Sequence, residues 1–553
     1  MAKANLKFFA SLFSKKVTGV WGRAPRFYLL TLLLTACVDF AADPLSPALP
    51  VPVVEVEEEP LIEPAPVRAE FGGVLRLAMR APVTLNPLLN EDVTVARVLQ
   101  LVYEPLIIFD EELRPVPHLA SLEFNFHGTS VVVSLRPDAR WSDGVPVSAD
   151  DLIFSIETLQ NAPEGAIYRS NVESFALVEA LDERSVRITF DTVTGGAAYL
   201  FNFPIIPQHH FSLDPMSYEA PGNGPYTFES FTPSESLSLM HNMYSFRRPS
   251  NIVRVKALIT VDAETDRHAF DRGLTDIYLA EVPEWARHHS VKPVSFFEHP
   301  AMHFDFIGFN FSRSIPQMPQ FRQAIAHSLD VEQLIGDVFL THAIPTRTPI
   351  HPASWLHEPE APQFDHEPST AIALAEQVRR VALRDGLWPH DDEENQLALT
   401  VLVNRENIEG LQIAETITTQ MNAMGLPTEL MALSFSNYIW HLENGYFDLF
   451  IGGYRLSLRP DLHFAFHSES QENLLHLSDP ELDRLLEAAA VASTDSQFYR
   501  TLSDLQIHIA QELPIIPLAF RHSAVITDRR IQGNIQPTTS NIFTNIQDWS
   551  FGQ

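Results

Sequence analysis

Two histidines and one aspartate form the most suggestive set of metal-ligand side chains in the sequence. His299, His303 and Asp305 share one parity, so a β-strand over this segment would place all three side chains on one face. Two imidazoles and a carboxylate are ligands that transition metals accept. Positions i and i+4 of a strand, however, lie about 13 Å apart, which is too far for two direct ligands of one ion. We therefore expect no metal site here and predict ordinary hydrogen bonding for these side chains.

The sequence lacks the local motifs of several common catalytic and cofactor sites. It contains no Gly-x-x-x-x-Gly-Lys-[Ser/Thr] loop, no Gly-x-Gly-x-x-Gly after a predicted strand, no His-Glu-x-x-His and no Gly-x-Ser-x-Gly. We therefore predict no catalytic residue and no cofactor. A pair of catalytic carboxylates leaves no local pattern, so a secreted hydrolase that uses such a pair stays open as an alternative.

The chain is long and strongly acidic. It has 553 residues, with 70 Asp and Glu against 38 Lys and Arg, which gives a formal net charge of −32. This length corresponds to roughly three domains, and a hydrophobic content of 45% allows most of the chain to bury a core. The acidity argues against a nucleic-acid partner, because phosphate binding requires a basic face. It equally argues against charge-driven docking on anionic lipid.

The N-terminal segment has the features of an export signal. Residues 1–36 contain basic residues and no acidic ones, and residues 27–34 form an apolar core that is much shorter than the ~20 residues of a membrane-spanning helix. Leu34-Thr-Ala-Cys37 resembles the lipobox of bacterial lipoproteins, and Cys37 is the only cysteine of the chain. The resemblance implies that residues 1–36 are a lipoprotein signal peptide and that the Cys37 thiol carries a diacylglycerol. The alternative is an ordinary signal with a chance cysteine.

The segment that follows is predicted to be a tether. Residues 37–70 contain seven prolines and an acidic run at Glu55-Val-Glu-Glu-Glu59, and they offer little that could pack. Proline-rich chain is extended at ~3.1 Å per residue, so this lipidated tether would reach on the order of 100 Å. We therefore predict an extracytoplasmic location, in the periplasm or at the cell surface, with a membrane anchor at Cys37.

From Phe71 onward, strand-like and helix-like segments alternate. The strand candidates are short, apolar and bounded by Gly, Pro or Asn; they cover residues 74–79, 131–135, 186–190, 306–310, 397–402 and 448–451. Helix starts are predicted at three capping positions, which are Ser148, Asp330 and Asp479 with Pro480 as the first helical residue. This alternation predicts an α/β fold. The acid-rich residues 384–395 are predicted to be a surface loop.

The body of the chain, from about residue 71 to 550, resembles the family 5 extracellular solute-binding proteins. These are the oligopeptide-, dipeptide- and nickel-binding components of ABC importers. The most recognisable block is Leu135-Arg-Pro-Asp-Ala-Arg-Trp-Ser-Asp-Gly-Val-Pro-Val-Ser-Ala-Asp-Asp-Leu152. Further blocks follow the family's order, at residues 72–78, 84–88, 103–110, 223–226, 308–310, 321–330, 447–448, 512–518 and 548–549. No single block is specific, but together they cover nearly the whole chain.

The resemblance implies a two-lobe periplasmic-binding-protein-like fold of type II, in the large three-segment class, with mixed sheets and a hinge between the lobes. Lobe I would take residues 71–100, 195–300 and 515–553, with residues 101–194 as an inserted subdomain. Lobe II would take residues 301–514. The crossings near residues 300 and 515 would form the hinge, so that ligand shifts an equilibrium between open and closed states.

The resemblance also implies a set of peptide-contacting residues. In peptide-binding members, the segment before the Thr-Leu-Asn-Pro block pairs with the peptide backbone, and here that segment is Arg80-Ala81-Pro82-Val83. Pro82 has no N–H and so donates one hydrogen bond fewer.

The second implied group lies around the Phe-Asp block. Phe435 and Tyr454 occupy aromatic positions of the family's pocket, and Ser457 stands where an aspartate commonly pairs with the peptide's amino terminus. Arg455 and Arg459 lie close by and would favour an anionic group. For all of these residues the alternative is a packing or solvated role.

The replacement of that aspartate matters energetically. An ammonium group without a carboxylate partner loses a charge-assisted hydrogen bond worth roughly 1.5–3 kcal/mol. We therefore expect recognition of a free peptide amino terminus less than in other members, and a blocked peptide, an anionic solute or another small solute stays open as the ligand.

We therefore predict a monomeric, membrane-tethered receptor that is not an enzyme. It would capture a peptide-like or other small polar solute in the cleft between the lobes and deliver it to an ABC permease. A sensor or scaffold of the same fold without a permease is one alternative, and the hydrolase considered above is the other.

Overall fold

The computed structural model describes residues 72–210, 219–280, 292–388 and 398–552. These residues belong to one compact unit. The predicted signal peptide (1–36), the lipidated Cys37 and the tether (37–70) lie outside the described residues. No helix in the described ranges is both long enough and apolar enough to cross a bilayer.

The strands, in chain order, are β1 (Val74–Arg80), β2 (Ile107–Phe109), β3 (Pro115–Pro117), β4 (Ala120–Phe124), β5 (Ser130–Leu135), β6 (Phe175–Ala180), β7 (Ser185–Phe190), β8 (Tyr226–Thr232), β9 (Ser236–His241), β10 (Arg254–Thr260), β11 (Ile277–Ala280), β12 (Val294–Phe309), β13 (Ala343–Pro345), β14 (Leu399–Asn404), β15 (Thr428–Leu433), β16 (Leu449–Arg455), β17 (Ile515–Asp528), β18 (Ile531–Gln532) and β19 (Ser550–Phe551).

The α-helices are α1 (Val93–Leu99), α2 (Ala149–Gln160), α3 (Ala263–Asp271), α4 (Pro319–Ser328), α5 (Val331–Phe339), α6 (Pro368–Arg384), α7 (Ile408–Ala423), α8 (Phe435–Glu443), α9 (His463–Phe466), α10 (Pro480–Ala490) and α11 (Asp495–Glu512).

Three larger sheets organise these elements. One four-stranded sheet has the order β1-β10-β9-β8, and a second has the order β4-β5-β7-β6. A seven-stranded sheet has the order β11-β17-β12-β16-β14-β15, with β13 also paired to β17. Its β14 runs parallel to both β15 and β16, whereas β12 and β17 are antiparallel. The chain is therefore a mixed α/β protein, as the alternation of elements predicts.

The helix starts follow their local signals. An Asp151 carboxylate oxygen accepts the Ser148 backbone N–H at 2.9 Å, and α2 begins directly after Ser148. Asp330 caps α5 by accepting the Gln333 N–H at 3.0 Å. Asp479 accepts the N–H groups of residues 481 and 482 at 3.0 and 3.1 Å. These side chains satisfy amide groups that have no partner within the helix, so all three predicted starts are confirmed.

The strand predicted at residues 306–310 is too short. In the structure β12 covers 16 residues, Val294–Phe309, and pairs with the 14-residue β17. The register between them breaks between Pro300 and Phe304. The first half of β12 contains polar residues, so the sequence shows no apolar strand pattern there. Pairing with β17 stabilises this half of the strand.

Candidate ligand-binding site

Tyr454 projects from β16 into a group of aromatic rings. Its ring centroid lies 4.9 Å from that of Phe306, and it meets Phe464 edge-on at 5.2 Å. Burial raises the pKa of the Tyr454 hydroxyl above its usual value, so the group stays neutral at physiological pH. The side chain is only partly buried, so it can both pack on the core and present an aromatic surface.

Phe435 lies on α8, which packs against β14 and β15. A hydrogen bond also links this helix to β16, because the Tyr438 hydroxyl donates to the Ile451 carbonyl oxygen at 2.8 Å. Phe435 is the first residue of α8, and a Glu406 carboxylate oxygen accepts its N–H at 3.3 Å. Phe435 and Tyr454 are both partly buried against the larger hydrophobic core.

The polar residues after Tyr454 have different surroundings. Arg455 is exposed and lies opposite His303 in the β12–β16 register. The Ser457 hydroxyl donates to the carbonyl oxygen of Arg459. The Arg459 guanidinium donates through Nε to the Gly195 carbonyl oxygen at 2.9 Å, and burial lowers the pKa of Arg459. One of the two candidate arginines is therefore engaged with the backbone of a distant loop.

The segment at residues 80–83 follows a different sheet. Arg80 ends β1, and its guanidinium forms an ion pair with Asp266 at 2.8 Å and donates to the Thr260 hydroxyl at 2.7 Å. Pro82 is buried, whereas Ala81 and Val83 are exposed, Val83 to 80%. The segment at residues 80–83 thus continues a strand of one sheet, whereas Tyr454 and Arg455 end β16 of another.

A cavity opens at the end of β16. Its volume is about 10 Å³, which is room for about one water molecule. Its lining comes from four regions of the chain. These are Leu113 beyond β2, Met302 in β12, a loop that includes His351 and Ser354, and a loop that includes Ser457 and Asp461. Of the predicted site residues, Ser457 is the one that lines this cavity.

His351 and Asp461 were not found from the sequence. His351 sits between prolines, with no spacing typical of a metal or catalytic site, and Asp461 follows the Phe-Asp block without a motif of its own. In the structure the His351 ring packs on Phe520 of β17, with centroids 4.8 Å apart. Burial, assisted by the nearby His522 and His357, lowers the pKa of His351 to about 4. Only tertiary structure brings these residues to one cavity.

In the His299–Asp305 segment, the Asp305 and His303 side chains interact with other side chains of the protein. The Asp305 carboxylate accepts two hydrogen bonds from the Arg521 guanidinium, both at 2.7 Å. The Nε2 atom of His303 lies 3.7 Å from Asp305 Oδ1. Within the described ranges, no group of three His, Cys, Asp or Glu side chains is placed to hold a metal ion.

The segment after β7 contacts two distant parts of the chain, which are the end of α10 and the loop that contains Trp355. The Gly195 N–H donates to the carbonyl oxygen of Ala490, at the end of α10, at 2.7 Å. The Tyr199 hydroxyl accepts from the Trp355 indole N–H at 2.9 Å. A Cβ atom added to Gly195 would lie 2.0 Å from the Ala489 carbonyl oxygen, so only glycine fits this approach.

The mutation Gly195→Ala should therefore destabilise the protein by about 1–3 kcal/mol, because the new methyl group forces the loop away from α10. Gly336→Ala in α5 is the matched control, since no atom lies within 4 Å of its added Cβ. This control should be neutral or stabilising by about 0.5–1 kcal/mol, because alanine favours helix. Urea unfolding of both variants measures the difference, and equal effects would contradict the close packing described.

Comparison with known proteins identifies relatives of this chain. The profile of "Bacterial extracellular solute-binding proteins, family 5 Middle" matches residues 114–471. The oligopeptide-binding protein AppA of Bacillus subtilis is 20% identical over 488 residues, which cover 85% of this chain and 89% of AppA. The probable D,D-dipeptide-binding periplasmic protein DdpA of Escherichia coli is 21% identical over 74% of this chain and 80% of DdpA.

Solved structures agree on the fold. The ABC transporter substrate-binding protein CtaP of Listeria monocytogenes superimposes with a TM-score of 0.73, at 21% identity over 88% of this chain and 100% of CtaP. The structure of Bacillus subtilis AppA in complex with a nonapeptide superimposes with a TM-score of 0.61, at 19% identity and with coverage of 88% and 100%. The fold is therefore that of the periplasmic binding proteins. With its profile match over most of the body, this chain belongs to the bacterial extracellular solute-binding proteins of family 5.

Proposed function

We propose that this protein is a membrane-tethered receptor that captures a peptide-like or other small polar solute and delivers it to an ABC permease. The observation that carries the proposal is the family profile match over residues 114–471, together with the fold that this chain shares with a peptide-binding relative. The relative AppA is named as an oligopeptide-binding protein, and its structure holds a nonapeptide.

The proposed lobes keep the boundaries implied by the family. Lobe I comprises residues 71–100, 195–300 and 515–553, with residues 101–194 inserted, and lobe II comprises residues 301–514. The strands β12 and β17 contain both crossings, and the break in their pairing between Pro300 and Phe304 is a natural position for a bend. Opening at these strands would move Leu113, in the inserted subdomain of lobe I, away from the other lining residues, which belong to lobe II, and would admit the ligand between the lobes.

The pocket chemistry favours a largely uncharged ligand surface. We assign Phe435 and Tyr454 to the aromatic walls of the cleft, since both are only partly buried, although neither lines the cavity at the end of β16. Residues 81–83 lie outside the strands of the structure, and Ala81 and Val83 are exposed. Ser457 offers no charge to an ammonium group. Because the Arg459 Nε donates to the Gly195 carbonyl, that arginine supports an anionic ligand less than its position in the sequence suggests.

The membrane tether is part of the proposal and rests on the sequence alone. A diacylglycerol on Cys37 would hold the receptor near the permease, and residues 37–70 would allow it to move. Intact-mass measurement of the protein purified from its host membranes should show the lipid on a chain that begins at Cys37. An unmodified cysteine would remove the anchor from the proposal and leave solute binding untouched.

Ligand binding can be tested with a panel of synthetic tripeptides to pentapeptides. A peptide present at 100 times its dissociation constant should stabilise the folded protein by about 2.7 kcal/mol, because it binds only the native state. Differential scanning calorimetry should show the corresponding rise in melting temperature. No rise with any peptide or co-purified solute would contradict the receptor function.

Two aromatic variants on one helix locate the binding site. Phe435→Ala should weaken peptide binding by about fivefold or more, as expected for an aromatic contact in a pocket. Trp440→Ala is the matched control, because Trp440 is 52% exposed on the same helix, and it should leave the affinity unchanged. Equal effects of the two changes would argue against a pocket role for Phe435. Deleting the gene should also abolish uptake of the bound solute, and binding without any uptake defect would favour the sensor alternative.

A further inference from the structure

Trp355 lies in the proposed lobe II and is bonded to residues of the proposed lobe I. Its indole N–H donates to the Tyr199 hydroxyl at 2.9 Å, and its backbone N–H donates to the Glu112 carbonyl oxygen at 2.9 Å. The Arg114 guanidinium lies 4.4 Å from the centre of the Trp355 ring, which is close enough for a cation–π interaction. A single residue of lobe II thus makes three direct contacts with lobe I.

The two rings of this contact are each held by their own lobe. Trp355 stacks on Tyr499 of α11, with ring centroids 6.3 Å apart. Tyr199 stacks on Phe109 of β2 at 5.5 Å, and its hydroxyl donates to the Leu113 carbonyl oxygen at 3.1 Å. Because packing within each lobe already orients these rings, their contact requires little further loss of side-chain entropy.

Gly195 forms a second contact between the proposed lobes. Its N–H donates to the Ala490 carbonyl oxygen at 2.7 Å, and its carbonyl oxygen accepts from the Arg459 Nε atom at 2.9 Å. Ala490 and Arg459 both belong to lobe II, so both backbone polar groups of Gly195 are satisfied from the other lobe. We call the two contacts together the interlobe clasp, which comprises Glu112, Arg114, Gly195 and Tyr199 of lobe I and Trp355, Arg459 and Ala490 of lobe II.

Every contact of the interlobe clasp joins one protein group directly to another. A hydrogen bond inside a protein favours the state in which it forms by about 2- to 12-fold. The clasp contains four hydrogen bonds, and each would break if the lobes moved apart. Even at the lower limit, four independent bonds would favour the closed state by about 15-fold.

We propose that the interlobe clasp holds the receptor closed without solute, so that opening of the clasp limits the rate at which solute enters. This inference rests on the proposed function, because it concerns access to the cleft in which that function places the solute. Protein contacts, rather than the solute, then bring the lobes together. At high solute concentration, the observed rate of binding therefore reaches a plateau that equals the rate of clasp opening.

Two conservative variants weaken the clasp from opposite sides. Tyr199→Phe removes the hydroxyl that accepts from Trp355, and Trp355→Phe removes the indole N–H but keeps an aromatic ring. Tyr226→Phe is the matched control. The Tyr226 hydroxyl is also buried, and it is hydrogen-bonded at 2.9 Å to Ser250 and to Ile252, all within lobe I.

Spin labels on both lobes can report whether the clasp is closed. Gly128, at the tip of the β4–β5 hairpin, approaches lobe II so closely that an added Cβ atom would lie 2.9 Å from the Ser493 carbonyl oxygen. Phe126 and Val491, near these two residues in sequence, are 86% and 55% exposed. Labels at Phe126→Cys and Val491→Cys therefore separate on opening. Cys37 is the only native cysteine, so Cys37→Ser leaves these two positions as the sites of labelling.

Without solute, electron paramagnetic resonance should show mainly the short label distance in the wild-type background. Tyr199→Phe and Trp355→Phe should each raise the ratio of long to short distances by about 2- to 12-fold, and Tyr226→Phe should leave it unchanged. Stopped-flow mixing with the panel peptide that binds most tightly should show a plateau in the binding rate. Both clasp variants should raise this plateau by the same factor as the distance ratio.

Three results would decide against the clasp. These are a mainly long distance in the wild-type background, equal effects of Tyr199→Phe and Tyr226→Phe, and a binding rate that rises linearly with peptide concentration. Circular dichroism checks that each variant folds, and either clasp variant alone suffices for the comparison. Failure of every panel peptide to bind would refute the proposed peptide ligand, whereas the label distances would still decide whether the clasp keeps the protein closed.

Discussion

Replacing Asp305 with alanine is expected to lower the free energy of unfolding by about 3–5 kcal/mol, because the change leaves a buried guanidinium without its carboxylate. The Asp305 and Arg521 side chains are 3% and 8% exposed. The Arg521 Nε and Nη2 atoms each donate to one Asp305 oxygen at 2.7 Å. The Arg521 guanidinium also lies 5.0 Å from the centre of the Phe339 ring. Without Asp305, this cation stays buried and loses both of these charge-assisted bonds.

A second aspartate–arginine pair is a matched control for this measurement. Asp138 accepts two hydrogen bonds from Arg136, both at 2.9 Å, but these side chains are 56% and 40% exposed. Asp138→Ala should therefore cost about 0–1 kcal/mol, because water screens exposed pairs and can hydrate the remaining arginine. Equilibrium urea unfolding of both variants at neutral pH gives the comparison. Similar losses from the two variants would show that burial does not set the strength of the Asp305–Arg521 pair.

The elements with strong local signals were predictable from the sequence. Asp479 followed by Pro480 marks the start of α10, because the carboxylate caps the first amides and proline needs no N–H partner there. Alternating apolar residues identify β7, where Val186, Ile188 and Phe190 are buried. In both cases the stabilising groups are close in sequence, so the pattern contains the information.

Pairings between distant residues were not predictable. The first half of β12 is a strand because it pairs with β17, which lies more than two hundred residues later. Arg80 is predicted to lie at the ligand, and nothing in the sequence indicates that its guanidinium pairs with Asp266. Likewise, no spacing links His351 to Ser457. The resemblance to the family identified β16, the strand that leads to the cavity. That His351 and Asp461 line this cavity is visible only in the tertiary structure.

Acidification should destabilise the protein through His351. The pKa of this buried imidazole is about 4 in the folded protein, whereas an unfolded histidine titrates near about 6.5. Between these values the unfolded chain binds a proton that the folded protein excludes, so the contribution to stability is complete above about pH 6.5 and is lost as the pH falls towards 4. The full difference corresponds to about 3 kcal/mol, of which about 2 kcal/mol should be lost between pH 7 and pH 5.

Urea unfolding at pH 7 and pH 5 can isolate this effect with two histidine variants. His351→Gln should lose about 2 kcal/mol less than the wild type over this interval, because glutamine does not titrate. His127→Gln is the control, since His127 is exposed between β4 and β5, and its pH dependence should match that of the wild type. His522 and His357 both disfavour a charge on His351, in addition to burial. An identical loss of stability in His351→Gln and the wild type would mean that His351 is not excluded from protonation in the folded state.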